Sequence, residues 1–269
     1  MSQIEEKPVY FAEERKRKIL EMLKAKSKIL VPELCAFFNI SPATIRNDLN
    51  ELEAAGLLQR THGGAILNAQ VMYEQDSMQK EVKHMDTKQA IAAYAASLIS
   101  DGDAIAIDTG TTTMELARML KDKHRLTIVV NDIAIAALLE ATTDATVVLV
   151  GGTLKKGFHC LVGPMAIKDI KGLAVDKAFI ATNGINSKNG LTTPDMYLAE
   201  TKKAMIGIAN RVILLIDSSK LGNVSFTSFA DITAIEKMIV DDRAEDGALE
   251  DIATMGVEII KVPVLDVQK

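Results

Sequence analysis

A threonine-rich loop, Asp108-Thr-Gly-Thr-Thr-Thr113, follows a short apolar run and precedes a helical pattern. Gly110 lets the backbone approach a ligand closely, and the unpaired N–H groups at the start of the next helix favour an anion. The hydroxyls of Thr109, Thr111, Thr112 and Thr113 add uncharged donors. The loop lacks both the Gly-Lys-Ser/Thr of a Walker loop and the third glycine of a dinucleotide fingerprint. Its chemistry therefore favours a small anion, with a Thr-capped helix start as the alternative.

Polar or glycine residues follow four other apolar runs. They are Asn131 after residues 128–130, Gly151 and Gly152 after 147–150, residues 182–184 with Gly184 after 179–181, and residues 217–220 with Lys220 after 213–216. Ligands of parallel α/β sheets bind beyond the carboxyl ends of the strands, so we expect these groups to share one site. Glu200 and Lys203 lie about one turn apart in a later helical pattern. A surface ion pair worth under about 1 kcal/mol is the alternative for those two residues.

A second set of polar residues lies on a predicted helix near the N-terminus. The outward positions hold side chains suited to base edges and phosphates, since Arg bonds guanine, Asn bonds adenine and Thr contacts phosphate or a thymine methyl. With the N-cap they are Ser41, Thr44, Arg46, Asn47 and Asn50. A predicted hairpin over residues 56–64 follows and carries Arg60 and His62. The hairpin favours a winged helix-turn-helix over an ordinary three-helix bundle, although His62 alone would suit a structural turn.

That helix is the last of three helical patterns near the N-terminus. The first covers residues 13–25 and contains a basic cluster, residues 15–18, in which Arg15 is a candidate phosphate contact and a solvated helix face is the alternative. The second begins at Pro32, and the third has Ser41 as its cap and Pro42 at its first position. Apolar residues of the third helix recur at i, i+4 and i+7 and face inward: Ile45, Leu49 and Leu52.

From residue 101 onward, short apolar runs alternate with helical stretches. The predicted strands are residues 104–107, 126–130, 146–150, 178–181, 212–216, 235–240 and 258–262, and the first helix between them is predicted over 114–120. This rhythm predicts an α/β fold with a mainly parallel sheet and helices on both faces. Residues 68–90 contain neither glycine nor proline, which favours a stiff helical connector. We therefore predict a DNA-binding domain over residues 1–68, a connector over 69–90 and a larger domain over 91–269.

Composition narrows the function classes. The 269 residues include 48% hydrophobic but only 4% aromatic residues, and the net charge of -5 disfavours indiscriminate coating of nucleic acid. Cys35 and Cys160 match no metal spacing, and neither a metal nor a cofactor is predicted. No apolar run reaches the roughly 18 residues of a membrane span, and the first residues do not resemble a secretion signal. The expected protein is cytoplasmic and does not contact a membrane.

Residues 13–67 resemble the N-terminal module of the DeoR family of bacterial transcriptional regulators. The resemblance rests on an ordered set of motifs: Glu14-Arg15, Ile19-Leu20, Val31 with Glu33-Leu34, Ser41 with Thr44-Ile45-Arg46, Asp48-Leu49, Leu52-Glu53, Gly56, and Arg60 with His62-Gly63-Gly64-Ala65. The family usually has two consecutive arginines before the Asp-Leu pair, whereas Asn47 occupies the second place here. DNA binding is still implied, but no operator preference carries over at the base that Asn47 faces.

Residues 76–256 resemble the sensor domain of the same family, whose fold is similar to ribose-5-phosphate isomerases, glucosamine-6-phosphate deaminases and phosphogluconolactonases. The matching positions are Asp108 to Thr112, Gly151-Gly152, residues 177–179, Gly184, residues 190–193, Glu200, Lys203 and residues 217–220. The resemblance implies that the threonine loop holds the phosphate of a phosphorylated sugar and that Lys220 adds positive charge. It also implies that Asp108, Asn131, Gly184 and Glu200 meet hydroxyls or the carbonyl end.

Together these features predict a transcriptional regulator that binds double-stranded operator DNA under the control of a phosphorylated sugar or polyol. A repressor is the first expectation, and the sequence does not separate it from an activator. Half-sites on operator DNA favour a homo-oligomer, either dimer or tetramer. The alternative is a sugar-phosphate isomerase or lactonase with a fused head, in which Asp108, Asp195, Glu200 or Asp217 would move a proton. The sequence forces no acid–base pair together, so we expect no enzyme.

Overall fold

The computed structural model describes residues 12–26, 28–54, 58–61, 63–67 and 84–264. They divide into two compact units, one within residues 1–70 and one within 71–269. His62 and most of the predicted connector, up to residue 83, lie outside the described residues. The last residues of the predicted connector begin a helix of the larger unit, α4 in the numbering below, which covers Met85–Ser97.

The smaller unit contains three helices and three short strands. In chain order these are α1 (Ala12–Lys26), β1 (Lys28–Leu30), α2 (Val31–Phe38), α3 (Pro42–Ala54), β2 (Leu58–Thr61) and β3 (Gly64–Leu67). The strands form an antiparallel sheet in the order β1-β3-β2. The sequence did not predict β1, in which the fully buried Ile29 lies opposite Ala65. Gly64 permits this pairing, because a Cβ there would lie 2.2 Å from the Ile29 carbonyl oxygen.

Local signals fix the ends of the helices beside that sheet. Asn39 ends α2 in the left-handed conformation with φ 55°, which asparagine tolerates better than most residues. The Thr44 N–H donates to Ser41 Oγ at 3.2 Å, and α3 begins at Pro42. Both features of the predicted start of α3 are therefore confirmed. Ile45, Leu49 and Leu52 are buried, as their spacing predicts.

A seven-stranded parallel sheet forms the centre of the larger unit and confirms the predicted fold class. Its strands are β4 (Ala104–Ile107), β5 (Thr127–Val130), β6 (Thr146–Leu149), β9 (Val175–Ala181), β12 (Ala209–Leu215), β14 (Lys237–Asp241) and β15 (Glu258–Val262), in the order β15-β14-β12-β9-β4-β5-β6. Every neighbouring pair is parallel. The carboxyl ends of β4, β5 and β9 therefore lie together near the middle of one edge.

Helices cover both faces of this sheet. One apolar cluster joins Ile105 and Ile107 of β4 to α4, α5 (Thr111–Arg118) and α6 (Ile133–Thr142). The opposite cluster joins Ala106 to α7 (Pro164–Lys171), α8 (Met196–Gly207) and α9 (Asp246–Thr254). This alternation follows from the two-residue side-chain period of a strand. None of the described helices is long and apolar enough to span a membrane.

Two small antiparallel pieces, which the sequence did not predict, flank the carboxyl edge. One is the hairpin of β7 (Thr153–Lys155) and β8 (Cys160–Val162), and the other is a sheet of β10 (Gly184–Asn186), β11 (Gly190–Thr193) and β13 (Thr227–Ala230). Helix α5 begins at Thr111, three residues before its predicted start. The second half of the threonine loop, residues 111–113, is therefore the first turn of a helix.

Candidate functional site

Asp108 and Asn131 are neighbours at the carboxyl edge of the large sheet. Asp108 follows β4 and Asn131 follows β5, and the last residues of those strands, Ile107 and Val130, pair with each other. Both polar side chains are fully buried. The backbone N–H of Thr109 donates to Asn131 Oδ1 at 3.1 Å, which ties the two strand ends together. Two of the predicted effector residues therefore lie together at neighbouring strand ends.

A buried lysine that the sequence did not predict pairs with Asp108. The Lys202 ammonium on α8 donates to Asp108 Oδ2, which also accepts the Ala181 N–H at 3.0 Å. Lys202 donates as well to the Ala181 carbonyl at 3.0 Å and is only 2% exposed. Burial raises the pKa of the Asp108 carboxyl, and the Lys202 ammonium beside it opposes that rise.

The threonine loop has two threonines that hold its shape and two at the start of α5. Thr109 Oγ1 donates to Asp132 Oδ2 at 2.6 Å, and Thr113 Oγ1 donates to the Gly110 carbonyl at 2.9 Å. Thr111 and Thr112 begin the helix, and no side chain of the described residues caps it. The first-turn N–H groups of a helix carry partial positive charge, so this end of α5 suits an anion.

The predicted glycines lie where the backbone packs closely. A Cβ on Gly152 would lie 2.7 Å from the Val162 carbonyl oxygen, and one on Gly184 would lie 2.4 Å from the Asn223 carbonyl oxygen. The Gly151 N–H donates to Asp169 Oδ2 at 2.9 Å. These contacts give the three glycines a role in shaping the loops, and leave their predicted role toward an effector as a prediction.

The charged residues predicted for the site lie less deep than Lys202. Glu200 and Lys203 are exposed on α8. The lysine of that helix that reaches Asp108 is Lys202, the residue just before the predicted Lys203. The signal for Lys202 is its helical spacing, because Leu198, Lys202 and Met205 recur at i, i+4 and i+7 and are all buried. Lys220 is partly exposed, and its ammonium lies 3.7 Å from Asp217 Oδ2.

Helix α3 of the smaller unit presents the predicted DNA-reading residues to solvent. Ser41, Arg46, Asn47 and Asn50 are exposed, and Thr44 is partly exposed. Asn47 Nδ2 donates to Glu51 Oε1 at 2.9 Å. Asn50 accepts a hydrogen bond from the Arg60 guanidinium, and the Arg60 N–H donates to Glu53 Oε1 at 2.7 Å. Strand β2 of the hairpin is thus held beside the exposed face of α3.

Arg15 has a different environment from the one predicted. Its guanidinium makes a bidentate contact with the Asp48 carboxylate, Nε to Oδ2 at 2.5 Å and Nη2 to Oδ1 at 2.9 Å. The hydrogen bond to Asp48 raises the pKa of Arg15. Arg15 is 9% exposed and Asp48 4%. This pair fixes α1 against α3, which gives Arg15 a packing role. Its predicted phosphate contact stays a prediction.

Comparison with known proteins agrees with this two-part architecture. Residues 15–71 match the DeoR-like helix-turn-helix domain, and residues 83–242 match the DeoR C terminal sensor domain. The chain is 38% identical to the HTH-type transcriptional regulator GlpR of Haloferax volcanii, over 92% of this chain and 96% of that protein. It is 34% identical to the transcriptional repressor AccR of Agrobacterium fabrum, over 85% of this chain and 89% of that protein.

The chain also aligns with parts of solved structures at low sequence identity. Ribose 5-phosphate isomerase A of Methanocaldococcus jannaschii is 18% identical with a TM-score of 0.38, over 51% of this chain and 55% of that chain. The eIF2B delta subunit of Chaetomium thermophilum is 16% identical with a TM-score of 0.37, over 77% and 63%. The two domain matches and the identity across most of the chain place this protein in the DeoR family of DNA-binding transcriptional regulators, with an N-terminal helix-turn-helix domain and a C-terminal sensor domain.

Proposed function

We propose that this regulator is a repressor of sugar-metabolism genes whose binding to operator DNA is controlled by a phosphorylated sugar or polyol. The observation that carries the proposal is the start of α5, where no side chain of the described residues forms a cap, beside two buried polar residues, Asp108 and Asn131. Each of these has an atom without a hydrogen-bond partner in the part of the chain that the structure describes. A helix start suits a phosphate, and buried polar side chains suit the hydroxyls of the same molecule. The curated relatives are transcriptional regulators, which favours regulation over the isomerase or lactonase alternative.

On the DNA side, α3 enters the major groove. The exposed polar set of that helix, Ser41, Thr44, Arg46, Asn47 and Asn50, meets base edges and phosphates. Arg60 and His62 of the hairpin grip the flanking phosphate backbone. One head offers a small contact area, so tight binding to an operator with two half-sites calls for a homo-oligomer, a dimer or a tetramer.

On the effector side, the N–H groups of Thr111, Thr112 and Thr113 bind the phosphate, with Lys220 adding positive charge. Asp108 and Asn131 bind hydroxyls, and Gly110, Gly151, Gly152 and Gly184 shape the surrounding loops. Glu200 and Lys203 are exposed and would meet the effector only at the rim of the site. The effector acts by binding the arrangement with weak DNA affinity more tightly. A difference of about 3 kcal/mol between the two arrangements changes operator affinity by about a hundredfold.

Two matched substitutions test the two sides separately. Thr111→Val removes a hydroxyl at the start of α5, and the same change at the exposed Thr142 is its control. The DNA for this test is selected by the protein from a random pool, and its release is followed by fluorescence. Thr111→Val should need about tenfold more sugar phosphate than the wild type to release this DNA. Thr142→Val should behave like the wild type. Release by unphosphorylated sugars at equal concentration would contradict the phosphate assignment.

For the DNA side, Arg46→Ala removes an exposed arginine of α3. We expect a loss of about 1–3 kcal/mol in specific DNA binding with little change in thermal stability, because surface substitutions rarely exceed about 0.5 kcal/mol. Unchanged affinity for the selected DNA would contradict the groove assignment. Effector binding to the sensor domain, measured by calorimetry, is the internal control.

A further inference from the structure

Two buried polar atoms of the effector site have no hydrogen-bond partner among the described residues: Asp108 Oδ1 and Asn131 Nδ2. Their residues are fully buried neighbours at the ends of two paired strands. We infer that these two atoms together bind one alcohol group of the effector and reject a carbonyl at the same position. The inference rests on the proposed function and specifies the chemistry of its ligand.

Asp108 presents Oδ1 as a hydrogen-bond acceptor. Its other oxygen, Oδ2, is occupied by the Lys202 ammonium and the Ala181 N–H. Both partners can only donate, and the positive charge of the Lys202 ammonium favours the ionised carboxylate. The free oxygen of an ionised carboxylate accepts. Lys202 is therefore a positioning residue, because it holds the carboxylate without occupying the oxygen that meets the ligand.

Asn131 presents Nδ2 as a hydrogen-bond donor. The Thr109 N–H can only donate, and it lies 3.1 Å from Asn131 Oδ1, which fixes the orientation of the amide. The amide nitrogen is then directed to the unpartnered side. Thr109 is itself held by its hydroxyl, which donates to Asp132 at 2.6 Å. The donor character of this position is thus set by the loop backbone.

One acceptor beside one donor is complementary to a hydroxyl group. An alcohol donates its hydrogen to Asp108 Oδ1 and accepts from Asn131 Nδ2, so both buried atoms are satisfied. A carbonyl oxygen accepts from Asn131 but turns its lone pairs toward the Asp108 carboxylate. A phosphate oxygen is repelled for the same reason. Sites with buried polar groups that match a substrate hydroxyl discriminate strongly against analogues that leave those groups unpaired.

Calorimetry on the full-length protein tests this with two pairs of open-chain compounds. Ribitol 5-phosphate and ribulose 5-phosphate differ only by a hydroxyl or a carbonyl at C2, as do glycerol 3-phosphate and dihydroxyacetone phosphate. In at least one pair, the alcohol should bind the wild type at least about tenfold more tightly than the ketone. Asn131→Leu removes a donor that serves the alcohol and the ketone alike, so it should weaken the binding of both and keep the preference, which Asp108 sets.

A second variant should invert the preference. In Asp108→Asn, the amide oxygen takes the place that faces the Ala181 N–H, and the amide nitrogen becomes a donor to the ligand. Lys202→Met is combined with it so that no buried charge is left alone, and Asp122→Asn at an exposed position is the control. Equal affinity for alcohol and ketone in the wild type, or a preference for the alcohol that persists in Asp108→Asn/Lys202→Met, overturns this inference alone. Failure of every sugar or polyol phosphate to release the selected DNA overturns the proposed function as well.

Discussion

Replacing Arg15 with methionine should destabilise the smaller unit by about 3–5 kcal/mol, because the buried Asp48 carboxylate would lose its partner. The side chains of Arg15 and Asp48 are 11% and 5% exposed, and both carboxylate oxygens accept from the guanidinium. Methionine keeps much of the packing volume, so the loss reports chiefly on the charge. At roughly 0.05–0.15 kcal/mol per residue, the stability of a unit within residues 1–70 is itself about 3–10 kcal/mol. The substitution should therefore unfold much of the smaller unit near physiological temperature.

Differential scanning calorimetry of the full-length protein measures this loss. We expect the transition of the smaller unit to move to lower temperature, while effector binding to the larger unit is unchanged. Lys16→Met is the matched control, since Lys16 pairs with Glu51 at 2.8 Å but the Glu51 side chain is 51% exposed. That pair should contribute under about 1 kcal/mol. A loss below about 1 kcal/mol for Arg15→Met would refute the packing role.

The double variant Arg15→Met/Asp48→Leu separates packing from DNA contact. Removal of both charges should restore most of the stability, since apolar replacements of a buried pair are often neutral or stabilising. If Arg15 only fixes α1 against α3, DNA affinity returns together with stability. If Arg15 instead contacts a phosphate, the stable double variant still binds weakly, and the slope of log affinity against log salt falls by about one.

Two further predictions concern titrating groups of the chain. Burial raises the pKa of the Cys160 thiol to about 12, so at pH 8 iodoacetamide should label the partly exposed Cys35 and leave Cys160 unmodified in the native protein; equal labelling would contradict this. Burial alone would raise the pKa of Asp103, but the Lys177 hydrogen bond and charge lower it overall. The charged form of Asp103 therefore stabilises the fold at a pH above the ordinary pKa near 4. This stabilisation is lost as the pH falls through the lowered pKa. Denaturant unfolding measured from about pH 6 to about pH 3 should show the free energy of unfolding of the wild type losing its excess over that of Asp103→Asn. A difference between the two free energies that stays constant with pH would contradict this.

The large sheet could be predicted from the sequence because each of its strands contains an apolar run, although β9 and β12 begin three residues before the predicted runs. Residues 104–107 and 258–262 are strands with those bounds. The short antiparallel strands carry no such signal, since β10 and β11 are rich in Gly, Thr and Asn. Backbone pairing with distant partners makes them strands, and periodicity within one segment does not report such partners.

The same distinction explains what was found and missed at the two functional surfaces. Asp108 and Asn131 could be placed from the strand-end rule, which needs only the positions of strands. Lys202 pairs with Asp108 across 94 residues, and Arg15 pairs with Asp48 across 33. Lysine and arginine are usually exposed. The sequence therefore suggested a phosphate or solvent contact for Arg15 and gave no role to Lys202.

The buried ion pairs Arg15–Asp48 and Lys202–Asp108 differ in whether both carboxylate oxygens accept a hydrogen bond. Removing a pair of charges from water is costly, so a buried ion pair is weak evidence for stability by itself. In Arg15–Asp48 both carboxylate oxygens accept from the guanidinium, and the pair joins two helices. In Lys202–Asp108 one oxygen accepts two donors and the other has no partner among the described residues. A buried carboxylate oxygen without a donor destabilises the free protein, and a ligand hydroxyl that occupies it recovers that loss. We therefore expect a ligand at the unsatisfied pair and a purely structural role for the saturated one.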